Sequence, residues 1–125
     1  MIKLIITISI VLNSLTGFAQ RTSEISVIQP EVYQKQVAEG DVQLVDVRTP
    51  KEFEQGHIKG AENIDFKSDG FLKQFQKFDK EKPLYIYCRS GNRSGKAARE
   101  LSEMGFKSII NLKGGFLSWE GAVIK

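Results

Sequence analysis

The segment Leu84-Tyr-Ile-Tyr-Cys88-Arg-Ser-Gly-Asn-Arg-Ser-Gly95 joins a short apolar run to a glycine-containing loop and then to a stretch of helical composition. A run of this length and character is typical of a buried strand. A strand that leads through a short loop into a helix is the repeating unit of an α/β sheet. The segment therefore predicts that Cys88 lies at the carboxyl end of a strand, where open α/β sheets collect their ligands.

The rest of the chain continues the alternation of strands and helices. Helices are predicted between Pro30 and Gly40 and at 50–55, 69–78, 93–104 and 116–119. The strands are predicted at 24–28, 43–47, 61–64, 84–87 and 108–112. This order predicts an α/β fold with a mostly parallel sheet and helices on both faces. The sharpest local signal is a capping box, with Thr49 as N-cap, Pro50 in the first helical position and Glu52 three residues after the cap.

Composition limits the class of protein. A chain of 125 residues has room for one compact domain. Its formal charge is +3, and its basic residues are scattered among acidic ones without a dense basic run. This pattern argues against a nucleic-acid binder, although a local Arg cluster would attract small anions.

The amino-terminal residues resemble a targeting segment. A short basic start, Met1–Lys3, precedes the apolar run Leu4–Leu12 and the small residues of Gly17-Phe18-Ala19. This order is typical of a signal peptide over residues 1–19, and the apolar run is too short for a stable membrane span. We expect cleavage near Ala19, a short tether at 20–24, a domain at 25–125, and export to the periplasm or the medium.

Cys88 is the only cysteine, so an intramolecular disulfide is impossible. Backbone N–H groups of the loop after it can form a concave anion nest, and the following helix adds the positive end of its dipole. Such a field would lower the pKa of the thiol and favour a reactive thiolate. Six loop residues are candidates for holding the anion: Arg89, Ser90, Gly91, Asn92, Arg93 and Ser94. The alternative is that Cys88 is a small buried apolar residue at a strand end.

Three segments resemble the signatures of the rhodanese-like domain family. The first is DVRTPKEFEQGHIKGAENI from Asp46 to Ile64, the second is the loop from Cys88 to Ser94, and the third is GGFLSW at 114–119. The resemblance extends from about residue 25 to residue 122. It implies a five-stranded parallel sheet flanked by helices, as in single-domain sulfurtransferases.

The resemblance also implies a chemistry. Cys88 would take a sulfane sulfur from a small anionic donor such as thiosulfate, hold it as a persulfide, and pass it to cyanide, a thiol or a protein acceptor. Neither a metal nor an organic cofactor is implied. The loop residues 89–94 would bind the donor and stabilise the persulfide.

Two further hypotheses compete with the sulfurtransferase. One is a binding or sensing module of the same fold that carries a persulfide without turnover. The other is a phosphatase or arsenate reductase, because cysteine phosphatases that share the fold have a related loop. Their loop holds one residue more than the four that separate Cys88 from Arg93, which favours sulfur over phosphate.

Several other polar residues have mainly structural interpretations. His57 is the only histidine, so a hydrogen-bonding role is favoured over a metal site. Arg48 is expected to pair with a nearby carboxylate, and Trp119 to pack in the core or over the site.

Overall fold

A computed structural model describes residues 23–125 of the chain. The predicted signal peptide at 1–19 and residues 20–22 of the predicted tether lie outside this range, while Glu24 opens the first strand. Three α-helices are present: α1, Pro30–Ala38; α2, Pro50–Gln55; and α3, Asn92–Glu103. Two short 3₁₀ helices cover Leu72–Lys77 and Gly115–Ser118. The strands are β1, Glu24–Ile28; β2, Gln43–Asp46; β3, His57–Ile58; β4, Glu62–Asn63; β5, Leu84–Tyr87; β6, Ser108–Leu112; and β7, Val123–Ile124.

Five strands form one sheet in the order β1-β6-β5-β2-β4, and every pair in it is parallel. The predicted α/β fold and its five-stranded sheet are thereby confirmed. Because all five strands point the same way, their carboxyl ends share one edge. The strand that leads into Cys88, β5, lies at the centre of this sheet.

The sheet is buried on both faces, and β5 shows how the sequence achieves it. Side chains alternate along a strand, so Leu84 and Ile86 pack with α3 and the Leu72–Lys77 helix, in a cluster that also contains Phe75. Tyr85 and Tyr87 point to the opposite face, which α1 covers. A strand buried on both sides has no polar face, which explains the continuous apolar run.

The capping box of α2 forms as predicted. The Thr49 hydroxyl oxygen accepts a hydrogen bond from the Glu52 N–H at 3.3 Å, and the Glu52 carboxylate accepts one from the Thr49 N–H at 3.4 Å. With Pro50 in the first turn, these bonds fix where α2 begins. The start of α2 is consequently set by local sequence alone.

Two elements differ from the prediction. The helix expected at 69–78 is a shorter 3₁₀ helix from Leu72 to Lys77. Gly70 adopts a left-handed φ of +70°, which stops the helix from extending backwards. The aromatic residues Phe71 and Phe75 are nevertheless buried as expected. The second difference is a small antiparallel sheet of β3 and β7, which had no counterpart in the prediction.

Within residues 23–125, no helix is long and apolar enough to cross a membrane.

Candidate active site

The loop after β5 wraps around the sulfur of Cys88. The chain leaves the central strand at Tyr87 and enters α3 at Asn92. Between them Gly91 adopts a φ of +109°, a conformation that L side chains rarely adopt. This single turn lets the loop reverse within four residues and bring its amides towards the cysteine.

The sulfur of Cys88 accepts hydrogen bonds from two sides. The Gly91 N–H donates to Sγ at 3.0 Å, and the Ser94 hydroxyl lies 3.3 Å from Sγ. The same hydroxyl lies 3.2 Å from the Gly91 carbonyl oxygen. Because a hydroxyl has one proton, Ser94 donates to only one of the two acceptors at a time. The loop therefore brings one backbone N–H and one hydroxyl to the sulfur.

These contacts set the ionisation of the thiol. Cys88 is only 1% exposed, and burial by itself would raise its pKa. Hydrogen bonds from the Ser94 hydroxyl and from the backbone N–H groups of Ser94, Gly91 and Ser90 stabilise the thiolate. Their combined effect outweighs burial and lowers the pKa of Cys88 below its usual value. Cys88 is thus both a buried residue and an activated one, which joins the two interpretations left open by the sequence.

The predicted binding residues lie at different depths around the sulfur. The side chains at the surface belong to Arg89, Ser90 and Asn92, while Ser94 is buried. Arg93 is half-buried, and its guanidinium donates to both oxygens of the Glu52 carboxylate, at 2.7 and 2.9 Å. The pKa of Glu52 is lowered to about 2, chiefly by these bonds from Arg93 and also by those from Thr49, against the opposing effect of burial. Arg93, which the sequence predicted as one of the residues that hold the anion, is therefore already paired with a carboxylate.

A buried ion pair supports the end of β2 beside the loop. Arg48 donates from Nε to both Asp46 carboxylate oxygens at 3.0 Å and from Nη2 to one of them at 2.7 Å. It also donates to the Gly56 carbonyl oxygen at 2.7 Å, and its guanidinium carbon lies 4.2 Å from the centre of the Phe116 ring. The scaffold role expected for Arg48 is confirmed: it ties β2, the end of α2 and the Gly115–Ser118 helix together.

His57 and Trp119 also have structural surroundings. The His57 ring stacks on Phe53 with centroids 3.6 Å apart, and its Nδ1 lies 2.9 Å from the Phe53 carbonyl oxygen. Trp119 packs edge-on against Tyr33. Among residues 23–125, no group of three or more His, Cys, Asp or Glu side chains is arranged to hold a metal ion.

The base of the loop is held by the short helix that was predicted at 116–119. The Phe116 N–H donates to the Cys88 carbonyl oxygen at 2.8 Å, and the Leu117 N–H donates to the Arg89 carbonyl oxygen at 3.1 Å. The resemblance of residues 114–119 to a family signature was the available clue, but it did not say what those residues contact.

A groove of about 510 Å³ lies elsewhere on the molecule. It is lined by the end of α1, by residues 58–60 and by Trp119, and none of its lining residues belongs to the loop 88–94. The candidate active site is therefore defined by the donors around the sulfur and not by cavity size.

Comparison with known proteins identifies the family of the chain. The family model described as the rhodanese-like domain matches residues 29–122. The chain belongs to the rhodanese-like domain family.

Individual relatives are similar over most of the domain. The uncharacterized protein YqhL of Bacillus subtilis is 49% identical over 82 residues, which are 65% of this chain and 63% of YqhL, so the match falls short of two thirds of that relative. The thiosulfate sulfurtransferase GlpE of Coxiella burnetii is 38% identical over 85 residues, 67% of this chain and 77% of GlpE. A rhodanese-like domain protein of Staphylococcus aureus superposes with a TM-score of 0.68 at 33% identity, covering 80% of this chain and 98% of that protein.

Proposed function

We propose that the protein is a sulfurtransferase in which the Cys88 thiolate carries a sulfane sulfur from an anionic donor to a nucleophilic acceptor. The proposal rests on the two hydrogen-bond donors beside Sγ of Cys88, the Gly91 N–H at 3.0 Å and the Ser94 hydroxyl at 3.3 Å. The similarity to a thiosulfate sulfurtransferase over two thirds of the chain supports thiosulfate as a donor of the right class.

The reaction has two balanced steps. The Cys88 thiolate attacks the outer sulfur of thiosulfate, a new S–S bond forms, and the bond to the sulfonate sulfur breaks with its electron pair leaving on sulfite. A cyanide ion or a thiolate then attacks the outer sulfur of the persulfide. The S–S bond breaks, Cys88 leaves as thiolate, and the acceptor departs as thiocyanate or as a new persulfide. This is covalent catalysis by an activated thiolate.

The loop supplies the electrostatic part of the proposal. Each form of the cycle, thiolate and persulfide anion, places negative charge beside the same fixed N–H groups. Preorganised donors stabilise such charge without having to reorient during the reaction. The deep position of Cys88, which is 1% exposed, favours donors and acceptors that present a narrow terminal atom.

Mass spectrometry of the protein after exposure to thiosulfate tests the proposal. We expect the gain of one sulfur atom on Cys88, removal of that sulfur by cyanide, and no adduct on Cys88→Ser. A protein that gains no sulfur but cleaves a phosphate ester would instead be a phosphatase, the alternative that the sequence left open. A protein that forms the persulfide but releases it only to a protein thiol would be a carrier.

Export is a separate proposal, based on the signal-like residues 1–19. Expression of the full chain followed by cell fractionation and amino-terminal sequencing tests it. We expect the recovered protein to begin near Gln20 and to lie outside the cytoplasm. Recovery of the uncut chain from the cytoplasm would contradict it.

A further inference from the structure

The 3₁₀ helix at Gly115–Ser118, called here the Gly115 turn, holds the two peptide groups that follow Cys88. Its Phe116 and Leu117 N–H groups donate to the carbonyl oxygens of Cys88 and Arg89 at 2.8 and 3.1 Å. Both carbonyls belong to the active-site loop, and both are engaged from the side of the Gly115 turn. This contact joins two segments that are far apart in sequence.

The direction of a carbonyl sets the direction of the next amide. A trans peptide is planar, so the N–H of residue i+1 points opposite to the carbonyl of residue i. No cis peptide bond is present in residues 23–125. When the Arg89 carbonyl is held towards the Leu117 N–H, the Ser90 N–H must face away from the Gly115 turn. The same peptide leads through Ser90 into Gly91, whose N–H donates to the Cys88 sulfur at 3.0 Å.

Gly115 permits this approach because it lacks a side chain. Its φ is +63°, and a Cβ built on it would lie 2.5 Å from the Arg89 carbonyl carbon and oxygen and 2.6 Å from the Cys88 carbonyl oxygen. Contacts this short do not occur for a real Cβ, and the atoms in the way are backbone atoms of the loop. Any larger residue at 115 must therefore push the peptide between Arg89 and Ser90 out of place.

We propose that Gly115 is a positioning residue that holds the peptide between Arg89 and Ser90 so that the Gly91 N–H stays directed at the Cys88 sulfur, and that it thereby sets the fraction of Cys88 that is thiolate. In this proposal the Gly115 turn influences Cys88 only through the peptide groups of the loop, and it needs no contact with the sulfur donor.

The charged groups around the sulfur are carried by other elements. They are Arg89 and Arg93 in the loop and α3, Glu52 on α2, and the Asp46–Arg48 pair at the end of β2. The Gly115 turn, Gly-Phe-Leu-Ser, has no titratable side chain. A substitution at Gly115 consequently changes the direction of the donors near Cys88 without changing the charge on any side chain.

Gly115→Ala and Gly70→Ala form a matched pair of variants. Gly70 has a φ of +70°, close to that of Gly115, but its Cβ would meet nothing within 4 Å. Both variants therefore carry the strain of alanine in the left-handed region, and only Gly115→Ala displaces the loop. The measurement is the rate of iodoacetamide alkylation of Cys88 against pH, on protein shown to be folded by its circular dichroism.

We expect Gly115→Ala to move the alkylation profile to higher pH and to slow alkylation at neutral pH by roughly tenfold, the value of one lost hydrogen bond to a charged group. Gly70→Ala should keep the wild-type profile, even if it is less stable. A Gly115→Ala profile that coincides with that of Gly70→Ala would overturn the proposal. Alkylation needs no sulfur donor, so this result stands whether or not sulfur transfer is the natural reaction.

A second variant tests the proposal if Gly115→Ala does not fold. Replacing Leu117 by its α-hydroxy acid through nonsense suppression turns the Leu117 N–H into an ester oxygen and keeps the side chain. The bond to the Arg89 carbonyl is then lost with no added volume. The same shift of the profile to higher pH is expected, and an unchanged profile would overturn the proposal.

Discussion

Arg93 and Glu52 form a two-point ion pair, with nitrogen–oxygen distances of 2.7 and 2.9 Å, between the first turn of α3 and the first turn of α2. Glu52 is also the residue that completes the capping box with Thr49. The active-site loop is thereby attached to the start of another helix. The charge of Arg93 next to Cys88 is balanced by a carboxylate, so the local field is weaker than the arginine count of the loop implies.

Substitution of Glu52 and substitution of Arg93 should change the KM for thiosulfate in opposite directions. Glu52→Gln removes the balancing charge, and we expect the KM for thiosulfate to fall by roughly two- to fivefold, as for a partly exposed ion pair. Arg93→Gln leaves the carboxylate unpaired near the loop, and the KM should rise by a similar factor. Steady-state kinetics at low and high salt check this, because screening should shrink both effects. If both variants raised the KM equally, the pair would have a structural role only.

The Glu52 carboxylate should make the free energy of unfolding depend on pH in the acid range. The hydrogen bonds from Arg93 hold the pKa of Glu52 at about 2 in the folded protein, against an ordinary value of about 4.3 in an unfolded chain. A lowered pKa stabilises the fold above the unfolded value, and that contribution disappears as the pH falls through the folded value. The difference in urea midpoint between wild type and Glu52→Gln should therefore be constant above pH 5 and decline towards pH 2. A difference independent of pH would contradict this.

Ser94 should contribute to the ionisation of Cys88 through its hydroxyl. In Ser94→Ala one donor to the sulfur is lost, so the thiolate is less stable and the pKa of Cys88 rises. Because the hydroxyl is shared with the Gly91 carbonyl oxygen, we expect alkylation at neutral pH to slow by roughly three- to tenfold. Ser102→Ala, a serine of the same helix two turns away, is the control and should react like wild type. Equal rates for the two variants would remove Ser94 from the site.

Arg48 should matter far more to stability than an exposed cation does. Arg48→Met leaves the Asp46 carboxylate buried without its partner, and breaking a buried pair in this way costs about 3–5 kcal/mol. Lys77→Met, which breaks the exposed ion pair of Lys77 with Glu62, should cost no more than about 1 kcal/mol. Urea unfolding of both variants gives the comparison. A cost for Arg48→Met as small as that for Lys77→Met would show that Asp46 tolerates the loss.

Local patterns predicted the elements that depend on neighbouring residues. The apolar run before Cys88 and the capping box of Thr49 and Glu52 depend on residues close together in the chain, so each could be predicted from the sequence. The same applies to the donors on the sulfur. Gly91 and Ser94 are three and six residues from Cys88, close enough that a strand–loop–helix unit brings them together.

Contacts between distant segments could not be predicted in this way. The pairing of β3 with β7 joins residues 57–58 to 123–124, and two-residue strands have no periodicity of their own. The partner of Arg93 is 41 residues away, so the arginine was expected to face the donor. The close approach of Gly115 to the Arg89 peptide depends on the packing of β6 beside β5. The helix predicted at 69–78 could not be assigned a type, because the spacing of its aromatic residues fits both α- and 3₁₀ helices.

The hydrogen bonds from Phe116 and Leu117 to the loop also bear on when the protein becomes reactive. They are made by residues that leave the ribosome after almost all of the sheet has been synthesised. Until residues 115–118 dock, the loop lacks these two bonds, and we expect its amides to be less well directed at Cys88. We therefore expect the nucleophile to gain its full reactivity only after the segment that follows the fifth strand of the sheet has folded onto the loop.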